Sequence, residues 1–109
     1  MQNYRFGEIV LLKFPFVEQQ EAKRRPALVL LDAGDADILA ARITSQDVDT
    51  EYDVVLAQWR QSGLLIPSVV RLHKMATLQK RLVERRLGVL RQEDMANVQA
   101  KLQQIWKSI

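Results

Sequence analysis

Five consecutive apolar residues, from Ala27 to Leu31, follow directly after three cations and a proline. Because this run does not alternate polar with apolar residues, it predicts a strand that is covered on both faces and lies in the interior of a sheet. Pro26 suits the first position of such a strand, where a missing N–H costs no hydrogen bond. Arg24 and Arg25 are then placed at the entrance of a rigid element. A fold positions functional cations in this way.

The overall composition predicts one small domain without disulfides. The chain has 109 residues, 48% of them hydrophobic, which suffices for a single core over residues 1–109. It contains no cysteine, so disulfide scaffolds and zinc–thiolate sites are excluded, and a reducing, cytoplasmic location is expected. No apolar segment has the length of a signal peptide or a membrane span. The net charge is only +3, but cations cluster at Lys23–Arg25 and Lys80–Arg91, whereas Asp47–Asp53 is acidic; this distribution is compatible with a polyanionic partner but does not require one.

Strand-like segments dominate the chain and are separated by turn residues. Asp32–Asp35 has the composition of a tight turn and predicts a hairpin. The longer loop Phe16–Lys23 has a polar centre and is expected to act as a flap over the arginines. Besides Ala27–Leu31, the predicted strands are Ile9–Phe14, Asp37–Thr44, Asp53–Leu56, Val69–Met75 and Arg85–Leu90.

Helical signals are short except at the C-terminus. Ala57–Ser62 can close one or two helical turns before Gly63, and Thr77–Leu82 predicts a second short helix. Trp59 is expected to anchor the first of these. The last predicted element is an amphipathic helix packed on the sheet, with all members of its apolar stripe, Trp106 included, expected in the core: Met95, Val98, Leu102, Ile105 and Trp106. The fold class is therefore mainly β with small helices (α+β).

The order of several short motifs resembles the PemK/MazF family of toxin endoribonucleases from bacterial toxin–antitoxin pairs. One such motif alone is a weak signal, whereas five in the family's order over nearly the whole chain are specific. They are Gly7-Glu8-Ile9-Val10, Arg24-Arg25-Pro26-Ala27-Leu28-Val29-Leu30, Ile43-Thr44-Ser45-Gln46, Ser68-Val69-Val70 and Arg86-Leu87-Gly88, with Ala76-Thr77-Leu78 and a terminal helix in the expected places.

The resemblance implies a compact, SH3-like or barrel-like twisted antiparallel sheet, a homodimer, a cognate antitoxin protein, and metal-independent cleavage of single-stranded RNA such as mRNA. It implies no cofactor. The family's arginine before the proline corresponds to Arg25, and its third-strand threonine or serine corresponds to Thr44. Many members carry Arg-Thr-Ile-Asp-Lys where this chain has Ala76-Thr77-Leu78-Gln79-Lys80. The missing arginine and aspartate leave the proton-transfer group open.

The residue types at these positions suit RNA chemistry. An arginine stays protonated and offers forked donors to phosphate oxygens, so Arg25 is the candidate for charge stabilisation. Thr44 offers a short hydroxyl donor beside it. Without the resemblance, Arg25 would be interpreted as a solvated loop cation and Thr44 as a strand-favouring residue. The candidate RNA-binding residues are Lys23, Arg24, Ser45, Gln46, Ser68 and Phe16; Phe14 and Phe16 can stack on bases, although a core role is expected for at least one of them.

Other charged residues have plainer interpretations. His73, the single histidine of the sequence, is interpreted as a half-exposed structural residue, because it lies in the middle of a predicted strand and outside the matched motifs. Lys80, Arg81, Arg85 and Arg86 either extend an RNA track or form a solvated face.

Two alternatives to an active nuclease stay open. One is a relative that acts by binding, like gyrase poisons of this architecture that end in Trp-Gly-Ile, whereas this chain ends in Trp106-Lys107-Ser108-Ile109. The other is a degenerate member that binds RNA or an antitoxin without cutting.

Overall fold

The computed structural model describes residues 2–14 and 23–109. Over these ranges the chain forms one antiparallel sheet, a single 3₁₀ turn and one long helix, with no helix that is long and apolar enough to cross a membrane. The elements are β1 (Glu8–Phe14), β2 (Lys23–Leu31), β3 (Asp37–Thr44), β4 (Asp53–Val55), β5 (Val69–Gln79), the 3₁₀ turn (Lys80–Leu82), β6 (Val83–Val89) and α1 (Gln92–Ser108).

The six strands are ordered β4-β5-β3-β2-β1-β6. The predicted mainly β fold with a terminal helix is thus confirmed. Strands β4 and β6 form the two edges, so the sheet is open and does not close into a barrel.

Strand β2 lies in the interior of the sheet, as its apolar run predicted, but it begins earlier than expected. Lys23 already pairs with Phe14, so the arginines belong to the strand and not to a loop, and Pro26 lies within the strand opposite Leu11. This proline is accommodated because β2 pairs with β3 only from Ala27 onwards. On the β3 side of Pro26 no paired strand needs a hydrogen bond, so the missing N–H costs none. Most of the predicted flap, Phe16–Lys23, lies outside the described residues.

The central part of β2 contributes to two separate cores, one on each face of the sheet. Leu28 packs on the face that is covered by α1, whereas Ala27 and Val29 pack on the opposite face. The first core includes Ile9, Ala41, Ile43, Leu56, Val70, Leu72 and Val98; the second includes Tyr4, Val10, Leu12, Ile38 and Ala40, with Leu78, Leu82 and Val83 beside them. The expected burial on both faces ends before Leu31, which is 58% exposed.

The segment between β4 and β5 forms hydrogen-bonded turns and not a regular helix. The Leu64 N–H donates to the Trp59 carbonyl, and the Gly63 N–H donates to the Arg60 carbonyl, both at 3.1 Å. This pair of bonds is the Schellman pattern, and Gly63 occupies its left-handed position with φ of 95°. Trp59 packs against the first core, as expected. The segment is fixed to α1 by Asp94, which is fully buried and accepts the N–H groups of Ala57 and Gln58, both at 2.9 Å.

Two expectations about helices are wrong. Thr77 and Leu78 pair with Leu39 and Ile38 of β3, so tertiary pairing extends β5 through the predicted second helix and leaves only the 3₁₀ turn. In α1, Val98 is fully buried, but burial declines toward the end of the helix and Trp106 is 77% exposed. The last turn of the helix therefore extends past the core that its stripe was expected to cover.

Gly63 gives a direct test of this packing. Its backbone has positive φ, and a Cβ there would collide with the Leu87 carbonyl; Gly34 has a similar φ of 92° but open space around it. We expect Gly34→Ala to cost about 1–2 kcal/mol from the left-handed backbone alone. Gly63→Ala should cost at least about 1 kcal/mol more, because overpacking is added to the same backbone strain. Urea unfolding of both variants measures the difference, and equal losses would contradict the close contact between these segments.

Candidate functional site

Strands β2 and β3 separate at the end where the predicted site residues lie. Their pairing includes Ala27 opposite Arg42 and does not continue to Arg25 and Thr44. Side chains two residues apart on a strand share a face, so Arg25 lies on the face of Ala27, and Thr44 lies on the face of Arg42. Because Ala27 and Arg42 are a cross-strand pair, Arg25 and Thr44 lie on the same face at the splayed ends of the two strands.

A surface depression of about 540 Å³, here called the Thr44 depression, lies at this splayed end. It contains Arg25, Thr44, Ser45, Gln46 and Ser68, five of the eight candidate residues from the sequence. Its remaining lining comes from β1, β2, β3, β6 and the loop before β5: Leu11, Pro26, Arg42, Ile43, Gly63, Leu64, Leu65, Ile66, Arg85, Arg86 and Leu87.

The hydroxyl groups in the Thr44 depression are held by local hydrogen bonds. Thr44 is 8% exposed, and its Oγ1 accepts the Gln46 N–H at 3.1 Å, which leaves the hydroxyl hydrogen available as a donor. Ser68 is also buried and donates its hydroxyl to the Ile66 carbonyl at 2.8 Å. Ser68 therefore shapes the wall of the depression, and Thr44 is the better placed to donate to a ligand.

The two neighbouring arginines of β2 have different surroundings. Arg25 is exposed and makes no hydrogen bond or ion pair with any of residues 2–14 or 23–109. Arg24 lines no part of the Thr44 depression; its Nε donates to both carboxylate oxygens of Glu84, at 2.8 and 3.1 Å. This hydrogen bond holds the pKa of Glu84 below its usual value and raises that of Arg24. The structure thus separates Arg24 from Arg25, although they are adjacent in sequence.

A second depression of about 490 Å³ adjoins the first and is here called the alanine depression. Arg25, Pro26 and Arg42 line both depressions. The alanine depression also contains Lys23, another candidate from the sequence, together with Leu12, Ala27, Ala40, Ala41, Lys74, Met75, Ala76 and Leu78. Phe16, the remaining candidate, lies outside the described residues.

His73 lines neither depression. It is exposed on β5, where its Nε2 lies 3.4 Å from Nη2 of Arg71, and its ring centroid lies 5.2 Å from that of Tyr52. Arg71 in turn bonds Asp53 at 3.0 Å. Burial raises the pKa of Asp53, but the Thr50 N–H and hydroxyl and the Arg71 guanidinium outweigh it and hold this pKa below its usual value. His73 therefore belongs to a structural network, although it is more exposed than expected.

The cations after β5 divide between structural and surface positions. Lys80 is buried and bonds Asp32 at 2.9 Å, while Arg86 bonds Glu8 at 2.6 Å and stacks on the Tyr4 ring. The Tyr4 N–H, followed by the Lys80 ammonium, lowers the pKa of Asp32 to about 2. Of this group, Arg85 and Arg86 line the Thr44 depression. Lys80 is thus a structural residue.

The sequence interpretation missed Arg42, which lines both depressions. A signal was present, since Arg42 is the one cation inside the apolar run Ile38–Ile43. It also missed the segment Gly63–Ile66, which forms a wall of the Thr44 depression. This segment is separated from Thr44 by about twenty positions, and its placement depends on the bonds to Asp94.

Solved structures with this fold include several toxins. A chain of the MazE–MazF complex of Deinococcus radiodurans is 25% identical, covers 98% of each chain and superposes with a TM-score of 0.78. An endoribonuclease in complex with its cognate antitoxin from a mycobacterial species is 17% identical, covers 91% of this chain and 90% of the other, and has a TM-score of 0.74. The Mycobacterium tuberculosis toxin MazF-mt6 is 19% identical over 92% of this chain and 96% of the other, with a TM-score of 0.69.

A search of curated protein sequences gives no significant match. The sequence profile of the PemK-like, MazF-like toxins of type II toxin–antitoxin systems, however, matches residues 5–106. Because this match spans nearly the whole sequence, the chain belongs to the PemK-like, MazF-like toxin family.

Proposed function

We propose that the protein is an endoribonuclease toxin that cuts single-stranded RNA without a metal or another cofactor. The observation that carries this proposal is the placement of Arg25 and Thr44 on one face of the splayed strand ends, in one depression. The family match supports a toxin, and two similar structures are endoribonucleases from mycobacterial species. Arg25 and Thr44 are therefore assigned the central roles.

In the proposed reaction, the ribose 2′-oxygen attacks the adjacent phosphorus. The P–O bond to the 5′-oxygen of the next nucleotide breaks, which leaves a 2′,3′-cyclic phosphate and a 5′-hydroxyl. Arg25 stabilises the negative charge that develops on the non-bridging oxygens, because its forked donors match their geometry. Thr44 donates its hydroxyl hydrogen to the same phosphate. Arg25 and Thr44 together hold the phosphate in line for attack.

The 2′-hydroxyl loses a proton in this reaction and the leaving 5′-oxygen gains one. Neither the Thr44 depression nor the alanine depression has a carboxylate or an imidazole among its described lining residues. We therefore assign the transferred proton to no side chain among residues 2–14 and 23–109. Positioning and charge stabilisation are proposed to supply most of the rate enhancement.

Substitution of Arg25 tests this assignment. In buffer containing EDTA, wild type should cleave a long RNA, and Arg25→Ala should reduce the rate by about 10²–10³ because one preorganised donor is removed. Arg25→Lys should recover only part of the loss, since the forked geometry is absent. Thr44→Val should show a smaller loss of the same kind. The measurement is the cleavage rate of a fluorogenic RNA, with mapping of the fragment ends.

Arg5→Ala is the matched control, because Arg5 is an exposed arginine that lines neither depression. Arg25→Ala itself should change the free energy of unfolding by no more than about 0.5 kcal/mol. Normal cleavage by a well-folded Arg25→Ala variant would remove Arg25 from the mechanism. Absence of cleavage by wild type would leave the chain as a binding protein.

We further propose that the protein is a homodimer and that an acidic, partly disordered antitoxin segment covers its basic surface. The structures from Deinococcus radiodurans and from a mycobacterial species include complexes of a toxin with its antitoxin. Charge complementarity with the cations around Arg25 should make association fast and sensitive to salt. Multi-angle light scattering should give a dimer mass, and stopped-flow mixing with the product of the adjacent gene should give an association rate that falls as KCl is raised. A monomer at micromolar concentration would contradict the homodimer. An adjacent gene product that does not bind would contradict the antitoxin proposal.

One observation favours the alternative of a protein that acts by binding. Trp106 and Ile109 at the C-terminal end are 77% and 91% exposed, as a docking tryptophan would be. The RNA cleavage assay separates this alternative from the nuclease, because a binding protein would leave the RNA intact. Deletion of 106–109 should leave the cleavage rate of a nuclease unchanged.

A further inference from the structure

The alanine depression has a cationic rim and an apolar floor. Four cations line it, namely Lys23, Arg25, Arg42 and Lys74, and no carboxylate occurs among its described lining residues. Its floor includes the exposed Ala76, with the buried Ala27 and Ala40 on the same face of the sheet. A basic rim over an apolar floor fits a nucleotide, whose phosphate is anionic and whose base has apolar faces. The volume of about 490 Å³ is within the usual range of small-ligand sites.

The register of three strands builds this depression. Ala27 of β2 lies opposite Arg42 of β3, and Ala40 of β3 lies opposite Ala76 of β5. These small side chains leave space in the middle of the sheet. The pairing of β3 with β5 is then interrupted, because Ala41 pairs with Met75 whereas Arg42 pairs with Arg71. Residues 72–74 form the resulting bulge and bring Lys74 to the rim.

Arg42 is an arginine whose position is unfavourable in the absence of an anion. It lies directly opposite Arg71, and like charges in such a cross-strand pair are destabilising. Arg71 is compensated by Asp53 at 3.0 Å. Arg42 is exposed and has no hydrogen bond or ion pair with the described part of the chain. An anionic ligand would remove this repulsion.

We infer that the alanine depression binds the nucleotide next to the scissile phosphate, with Arg42 and Lys74 contacting its phosphate and with the base lying on the alanine floor. This inference rests on the proposed nuclease function. The two depressions share Arg25, Pro26 and Arg42, so a single strand that passes over Arg25 enters both. Arg42 and Lys74 are binding residues of this subsite.

The first test measures binding to a mixed-sequence, fully 2′-O-methylated RNA 12-mer, which cannot undergo attack by a 2′-hydroxyl. The Arg42→Ala/Lys74→Ala variant should bind at least about tenfold more weakly than wild type. Its plot of log K against log[KCl] should also be shallower by about 0.7, because the contact with one phosphate of a single strand is lost. The matched control is Arg5→Ala/Lys107→Ala, which removes the same charge from exposed residues outside both depressions.

The second test fills the floor without changing the charge. Ala76 is exposed in the alanine depression, so Ala76→Trp should raise KM for a long RNA severalfold while kcat falls less. Ala100→Trp on the exposed side of α1 is its control. Circular dichroism and melting temperatures confirm that each variant is folded.

The outcomes separate the subsite from the nuclease function. If wild type binds and cuts RNA while both the double variant and Ala76→Trp behave like their controls, the subsite is refuted and the nuclease stands. If the double variant loses antitoxin affinity but retains RNA affinity and salt dependence, the depression is an antitoxin contact and the inference is wrong. If wild type neither binds nor cuts RNA, both proposals fail.

Discussion

A strand that must be buried on both faces constrains the whole fold, because this chain has only one long helix among its described residues with which to cover a sheet. Helix α1 covers one face of β2 around Leu28. The other face, around Ala27 and Val29, is covered by Tyr4 and by residues at the ends of β5 and β6, such as Leu78 and Val83. The sheet therefore has to supply part of its own second layer. An open, six-stranded sheet with a separate core on each face meets this requirement. In this arrangement the polar end of β2 lies beyond both cores.

The same packing determines the wall of the candidate site. Asp94 on α1 is completely buried, and its two oxygens accept the N–H groups of Ala57 and Gln58. Burial of a carboxylate with too few hydrogen bonds is costly, so this pair of bonds fixes the segment at a single position against the helix. The Schellman turn then directs the chain into Gly63–Ile66, which lines the Thr44 depression. A carboxylate on the helix thereby shapes a site that contains no carboxylate among its described residues.

Much of the fold could be predicted from local sequence patterns, since the strands, the interior position of β2 and the terminal helix follow from runs and periodicity. The predictions for Thr77–Leu82 and Trp106 failed because the structure of these segments depends on their tertiary contacts. Local composition does not contain that information. The site was predicted in part. The resemblance pointed to Arg25 and Thr44, whose roles stay predictions, whereas Lys74 reaches the rim of the alanine depression only through a bulge in β5.

Pairing, more than the number of cations, distinguishes the arginines of this protein. Three arginines, Arg24, Arg71 and Arg86, each form an ion pair with a carboxylate. Their charges are therefore neutralised within the fold. Arg25 and Arg42 have no such partner among the described residues, and both lie where β2 and β3 separate. A net charge of +3 spread evenly would attract a polyanion weakly at any point. Neutralisation of Arg24, Arg71 and Arg86 within the fold leaves Arg25 and Arg42 as unpaired cations, among the described residues, at the open strand ends beside the Thr44 hydroxyl.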